Sequence, residues 1–463
     1  MKIKNEWLGI RLALLLVWGT MSLGAQAQTS TQAEPLGPQA SSAVAASVPS
    51  AKPQFHIKPV APGWQESLPR SAEAATQAYL DRLPTEVVAR ANAYFEGGYW
   101  LQLWNFLLGL LIAGLMLQGR RSARVRDWAA RVTRKKAFAR DALFGAAYAL
   151  AAGVLTLPLS IYQGFVREHA YGMATQNFAA WAGEQLIGLA VSMVLTGLAV
   201  ALLYAVIRRS GDRWWLWGAA TGTGLMALLI MAGPVFIEPL FNTYRPVEDG
   251  SVKRSVLSMA KANGVPADNV YQFDASRQTT RVSANVSGLF GTAAVRLNDN
   301  LLRRCTEPEI RAVMGHELGH YVLNHVGKML VEMALLLLAG FLFAQWAMNR
   351  FLQRRGAGWG LQSGSAGMGD VASLPLLVAV FSVFMFLATP IFNTIVRVQE
   401  QEADYHGLNL AREPHGMAEA MLKLVEYRKP DPTPLEEFVF FDHPSARTRI
   451  HASMRWREAM GTP

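Results

Sequence analysis

The sequence predicts a mainly α, polytopic helical membrane protein of about seven helices, counting one at the N-terminus, with an α+β extramembrane part split around the last two spans. Three observations carry this. Charged residues are 17% of the 463-residue chain and hydrophobic ones 51%, against about 25% charged in ordinary soluble chains. Six apolar runs of membrane-spanning length recur along it. The two polar blocks that flank the last two of these runs are together long enough to bury a small core. The net charge of +10 does not point to nucleic acid, because the basic residues cluster beside apolar segments, where they set topology. Cys305 is the single cysteine, so no internal disulfide is possible.

The elements follow in chain order. Residues 1–27 read as a secretory signal peptide: Lys2, Lys4 and Arg11 are basic, Leu12–Leu23 is apolar, and Ala25-Gln26-Ala27 is a small-residue cleavage pattern. Left uncleaved, 8–24 would be a first membrane helix. Residues 28–70, rich in Ala, Pro, Ser and Gln, read as a disordered linker. A membrane helical domain is expected over 71–237. It opens with a short amphipathic stretch, about 71–95, and has spans at about 99–118, 142–162, 185–207 and 214–237. The first part of a catalytic domain takes 238–327, two further spans (about 329–348 and 372–396) fall within 328–396, and the second part takes 397–463. Each span has about the 20 residues a helix needs to cross the bilayer core.

The loops are asymmetric in charge. Residues 119–140 carry nine Lys or Arg, and 208–213 and 349–355 are also basic. The positive-inside rule makes these loops cytoplasmic. Alternation then puts 28–97, 163–184, 238–327 and 397–463 on the outer side. With a bacterial-type leader, this predicts a bacterial inner-membrane protein whose catalytic part faces the periplasm.

Within the first polar block, "CTEPEIRAVMGHELGHYVLNH" opens with Thr306 and Glu309, a capping box, with Pro308 in the first turn. A helix from about Glu307 through His325 follows. His316 and His320 are four apart and leave the same face. Glu317 borders that face. Two histidines so spaced suit zinc, and the adjacent glutamate suits a base that takes a proton from water. The plainer reading is two solvated histidines on a polar helix, but a glutamate in that place narrows it. A catalytic zinc wants a third protein ligand and an open position. Glu400, Glu402 and Asp404 follow the last span on the same side. If the helix continues, Glu400 and Asp404 share a face, as a ligand and a carboxylate supporting a zinc histidine would. Glu402 points away and reads as solvated.

"HELGH" before one membrane helix and "EQEAD" after the next resemble the type I CaaX prenyl endopeptidases and their bacterial relatives, integral-membrane zinc metallopeptidases of the gluzincin kind. The resemblance implies a zincin-like catalytic domain, one Zn²⁺, ligands His316, His320 and Glu400, Glu317 as general base, and Asp404 supporting a ligand. "FDHPSARTRI" (441–450) resembles the family's H-P-x-x-x-x-R-I element, which implies that His443 and Arg449 stabilise the oxyanion and organise the site. "VSANVSGLFGTAAVRLNDNLL" (282–302) resembles its edge strand, which implies that Ala284, Asn285 and Val286 pair with extended substrate. "LPLSIYQGFVREHAYGM" (157–173) and "EPLFNTYRPV" (238–247) match further family elements. Ser283-Ala284 departs from the family's frequent Asn-Ala.

The remaining candidates have plainer readings. His325 reads as a residue that supports a ligand or caps the helix, His406 and His415 as surface, and Cys305 as structural. Glu332, inside a membrane helix, reads as lining a watery chamber or lying at the interface. Trp214, Trp215 and Trp217 read as an interfacial anchor. Three function classes follow. The first is a membrane zinc endopeptidase acting on peptides or on misfolded or envelope proteins, with the lipid bilayer as its other partner. The second is a metal-binding membrane chaperone or adaptor without proteolysis. The third, a transporter, has no internal repeat behind it.

Overall fold

Residues 56–287 and 293–461 are described by the computed structural model; the expected leader and most of the linker lie outside the described residues. After α1 (Ala72–Leu80), a 33-residue helix α2 (Thr85–Leu117) begins. At 1.5 Å per residue α2 is about 50 Å long, well beyond a hydrocarbon core of about 30 Å. Its first half therefore stands clear of the membrane. There Phe95 lies 4.5 Å, ring to ring, from Phe441, and the Tyr99 hydroxyl donates to Glu436 at 2.7 Å.

The expected basic loop 119–140 contains a helix, α3 (Arg121–Val132), entered through positive φ at Gly119 and Arg120. Then come α4 (Ala137–Ile161), α5 (Phe178–Ser210) and α6 (Trp214–Ala232). Asn177 caps α5 by accepting from the Ala180 N–H. Four described stretches are long and apolar enough to cross a membrane, or five counting a bent pair. The sequence reading counted six spans here. The difference is that one 63-residue stretch, Phe178–Leu240, holds both α5 and α6, broken at Gly211 (φ 53°). These helices pack through small residues: a Cβ on Gly197 would stand 2.8 Å from the Ala142 carbonyl oxygen. Large apolar side chains face outward, among them Leu186 (68% exposed), Leu335 (63%) and Trp346 (65%). Such a surface belongs against lipid.

The extramembrane part begins with a four-stranded sheet of β1 (Tyr244–Pro246), β2 (Val270–Phe273), β3 (Ala284–Ser287) and β4 (Ala294–Asn298), with α7 (Ser251–Ala262) between β1 and β2. The order is β1-β2-β4-β3, with β2 and β4 parallel and the other pairs antiparallel, so β3 is an edge. A short α8 (Asp299–Arg304) leads to α9 (Glu307–Val322), which carries "HELGH". The membrane helix α10 (His325–Trp359) follows, then α11 (Leu374–Leu387) and α12 (Thr389–Ala411), bent by 56°. Pro390 lacks the N–H that would join α12 to the turn before it, which accounts for the bend. Helices α13 (Pro414–Leu424), α14 (Pro434–Phe440) and α15 (Ala446–Met460) complete the chain. Two apolar cores result. One lies among the membrane helices, around Phe144, Trp214, Phe341 and Phe381. The other joins sheet and helices around Val295, Leu297, Leu318 and Ile450, and the amphipathic α1 adds Ala72, Ala75 and Tyr79 to it.

One expectation is corrected. The helix of "HELGH" does not run through His325. It stops at Val322, and Asn324 sits in the left-handed region (φ 51°), a conformation that asparagine tolerates better than most residues. The Asn324 side chain then accepts from the Gly327 N–H and starts α10.

Candidate metal centre

The capping box forms as the sequence suggests: the Thr306 N–H donates to Glu309 at 2.9 Å, and Lys423 closes on the same carboxylate at 2.6 Å. Beside it, burial pushes the Cys305 thiol up to about 12, with Glu309 adding to the effect. On α9, His316, Glu317 and His320 are all buried. The other half of the site comes from α12, and glycines set how closely the two helices cross. A Cβ on Gly315 would stand 2.9 Å from the Gly407 carbonyl oxygen, and one on Gly407 only 2.6 Å from the His316 nitrogen.

That crossing brings Glu400 to the two histidines. Candidate ligand atoms of His316, His320 and Glu400 lie within 4.8 Å of one another. The two Nε2 atoms face each other at 3.0 Å. Each lies 3.4 Å from a different oxygen of Glu400. Glu400 is fully buried, and neither of its oxygens makes a hydrogen bond. Three electron-pair donors thus converge in a buried spot. Two imidazoles and one carboxylate are the donor set of a catalytic zinc with one position left open, so these residues fit the metal.

The groups behind the ligands differ. His316 Nδ1 donates to Asp404 Oδ1 at 2.8 Å. Asp404 is gripped by Arg449, whose Nε donates at 2.7 Å and whose Nη2 donates to the other oxygen. Burial disfavours a charged His316, but Asp404 and Glu400 outweigh it and push the ring up to about 8. For His320, burial prevails and holds the ring well below the usual histidine range. Its Nδ1 lies 2.8 Å from Nδ1 of His325. His325 Nε2 in turn lies 3.0 Å from Glu402, which pairs with Lys328 at 2.7 Å. Glu402 is exposed, as the sequence suggested, and these two contacts tie it to the site. His406 and His415, expected on the surface, are half-buried, and His415 Nδ1 lies 2.7 Å from the Tyr79 hydroxyl.

His443 enters from the segment before α15. Its Nε2 lies 3.2 Å from Glu400, and its Nδ1 donates to Asp442 at 2.9 Å. Burial, aided by Arg428, pushes the ring down to about 4. With Nδ1–H given to Asp442, the neutral ring presents a lone pair at Nε2, and Nε2 can donate only when the ring is doubly protonated. The Asp442 contact was missed, although an acidic residue stands directly before the histidine in "FDHP". Arg449 gives its Nε and Nη2 to Asp404, while its buried Nη1 has no hydrogen-bond partner. Ala284, Asn285 and Val286 lie in the edge strand β3, which packs beside α9, and all three are buried. Next to that strand, Glu168 holds Arg281 at 2.5 Å and accepts from the Tyr94 hydroxyl at 2.6 Å. Segment 167–176 thereby docks on the catalytic part, with Thr280 N donating to the Met173 carbonyl at 3.1 Å.

Comparisons with known proteins bear on this arrangement. Residues 246–457 match the profile of peptidase family M48, and residues 67–243 match one described as the CAAX prenyl protease N-terminal region, with five membrane helices. An uncharacterized metalloprotease of Bacillus subtilis, YhfN, is 30% identical over 349 residues, covering 75% of this chain and 79% of its own. The chain belongs to peptidase family M48. It is an integral-membrane, zinc-dependent metalloendopeptidase. CAAX prenyl protease 1 of Saccharomyces cerevisiae is 26% identical over 316 residues, covering 65% of this chain and 68% of that one. The crystal structure of S. mikatae Ste24p shares the fold, with a TM-score of 0.68 at 20% identity over 81% of this chain and 90% of that one.

Proposed function

We propose that this peptidase cuts extended segments of peptides and of misfolded or envelope proteins at the outer face of a bacterial inner membrane, with His316, His320 and Glu400 holding the zinc. The single observation that carries the chemistry is the convergence of three buried donors, with neither Glu400 oxygen hydrogen-bonded. Bound there, zinc acidifies a water and polarises the scissile carbonyl. The chain's own residues do the rest. Glu317, next to His316, takes the proton from the attacking water and passes it to the leaving amine. His443 stands beside Glu400, where its ring would face the carbonyl oxygen, and Asp442 fixes that ring through Nδ1. Asp404 and Arg449 hold His316 in place. The edge strand β3 would pair the backbone of Ala284, Asn285 and Val286 with an extended substrate, a sequence-tolerant mode of recognition.

The orientation rests on charge. Arg140 and Arg208 meet at Asp141 (2.7 and 2.6 Å), Arg126 pairs with Asp370, and Arg120 donates to the Ala357 carbonyl at 3.2 Å. The basic segments thus gather at one end of the membrane bundle, near the end of α10. The metal centre lies at its beginning, about 50 Å away along the helix. Positive charge stays inside, so the site faces out. The yeast relative is named for prenylated CAAX proteins; a site on the outer face would meet envelope proteins instead.

The test has two arms. In nanodiscs, the protein should fragment an unfolded protein, leave its folded form intact, and stop with a zinc chelator. A reporter fused at the C-terminus should be active only on the outer side. Indifference to chelation would sink the chemistry, and a cytoplasmic reporter would sink the orientation.

A further inference from the structure

His316 and His320 are supported by unlike groups, and the second support has no counterpart in the zinc motif itself. Its geometry depends on the break at Asn324. On a continuous helix, residues five apart point about 140° away from each other, so His325 could not reach His320. Because α9 stops at Val322 and Asn324 turns the chain, His325 folds back and its Nδ1 meets His320 Nδ1 at 2.8 Å. His325 is buried, whereas Glu402 and Lys328 have side chains 43% and 44% exposed. A line of polar contacts therefore runs from a ligand to solvent.

With both Nε2 atoms given to the metal, one arrangement of protons satisfies the rest of the line. His320 faces His316 and Glu400 through Nε2, so when that nitrogen binds zinc its proton sits on Nδ1. That N–H must donate, and the atom in reach is His325 Nδ1, which must then offer a lone pair. The proton of His325 consequently sits on Nε2 and donates to Glu402 at 3.0 Å. Glu402 accepts as a carboxylate and is neutralised by Lys328 at 2.7 Å. We infer that His325 and Glu402 are positioning residues: through this relay they fix the tautomer and ring plane of His320, so that its Nε2 is ready for zinc. The inference rests on reading His316, His320 and Glu400 as the zinc ligands. Groups behind zinc histidines set ligand orientation and basicity, and their loss typically costs about 10–100-fold in metal affinity.

The experiment is chelator-competed zinc affinity of the full-length protein in detergent, with circular dichroism as a check on folding. His325→Leu removes the acceptor and should weaken zinc binding by about 10–100-fold. His325→Asn puts an amide oxygen where Nδ1 was and should restore affinity to within a few-fold, which a merely structural role would not predict. His320→Ala serves as the control for the site. If His320→Ala loses zinc but His325→Leu binds as tightly as wild type, the relay is overturned and the ligand reading stands. If His325→Leu and His325→Asn are equally weak, the acceptor role is overturned. If His320→Ala retains full zinc affinity, the ligand reading itself fails.

Discussion

The two histidines proposed to hold the zinc sit four residues apart on one helix, yet the protein supports them in opposite ways. His316 leans on Asp404, which is buried and clamped by an equally buried Arg449. His320 leans on His325, and from there the contacts run through Glu402 and Lys328 into water. The first support is a buried ion pair, costly to break because the charge left behind would be out of reach of water. The second is open at its far end, where solvent can replace what is lost. The difference teaches that one site can hold a rigid ligand and an adjustable one. It also ranks the expected effects of substitution.

The largest effect should come from the ligands themselves. His316→Ala or Glu400→Gln should reduce bound zinc, measured by mass spectrometry of purified protein, from about one per chain to near none, and cleavage should fall to background. Next comes the crossing that brings the halves together. Gly407→Val puts side-chain carbon within 2.6 Å of the His316 nitrogen, a backbone atom that cannot step aside. It should lose zinc and melt earlier, with Gly407→Ala a milder version of the same loss.

The clamp on His316 should rank third. Asp404→Asn leaves Arg449 buried without its counter-charge and should destabilise the fold by about 3–5 kcal/mol, read by denaturation of the zinc-free protein. Replacing both residues, Asp404→Leu with Arg449→Met, should recover much of that stability but not the zinc affinity. Recovery of both would show that Asp404 does nothing for His316. The smallest effect should be that of Glu402→Gln at the exposed end: a few-fold loss of zinc affinity and no measurable change in melting. If Glu402→Gln proved as damaging as Asp404→Asn, the contrast between the two supports would collapse.

Much of this was legible in the sequence, for local reasons. Thr306 and Glu309 marked the start of the helix, and the four-residue spacings of His316 with His320 and of Glu400 with Asp404 put each pair on one face. What stayed hidden depended on the chain leaving its expected path. A continuous helix through His325 looked natural until Asn324 took a left-handed turn, and that turn is what joins His325 to His320. The crossing at Gly315 and Gly407 joins residues about ninety apart, and no local pattern announces it. The basic stretch 119–140 read as a loop because its charge dominated, although "RSARVRDWAARV" is helical. The pairing of Arg449 with Asp404 needed coordinates, since the two stand 45 residues apart in sequence.

The most direct test compares wild type with Glu317→Gln, both purified in one membrane mimetic, for zinc content and for cleavage of an unfolded protein. Glu317→Gln should keep its zinc and lose activity by about 10²–10⁴-fold, the usual worth of a positioned base. A variant that holds zinc and cleaves as fast as wild type would contradict the account.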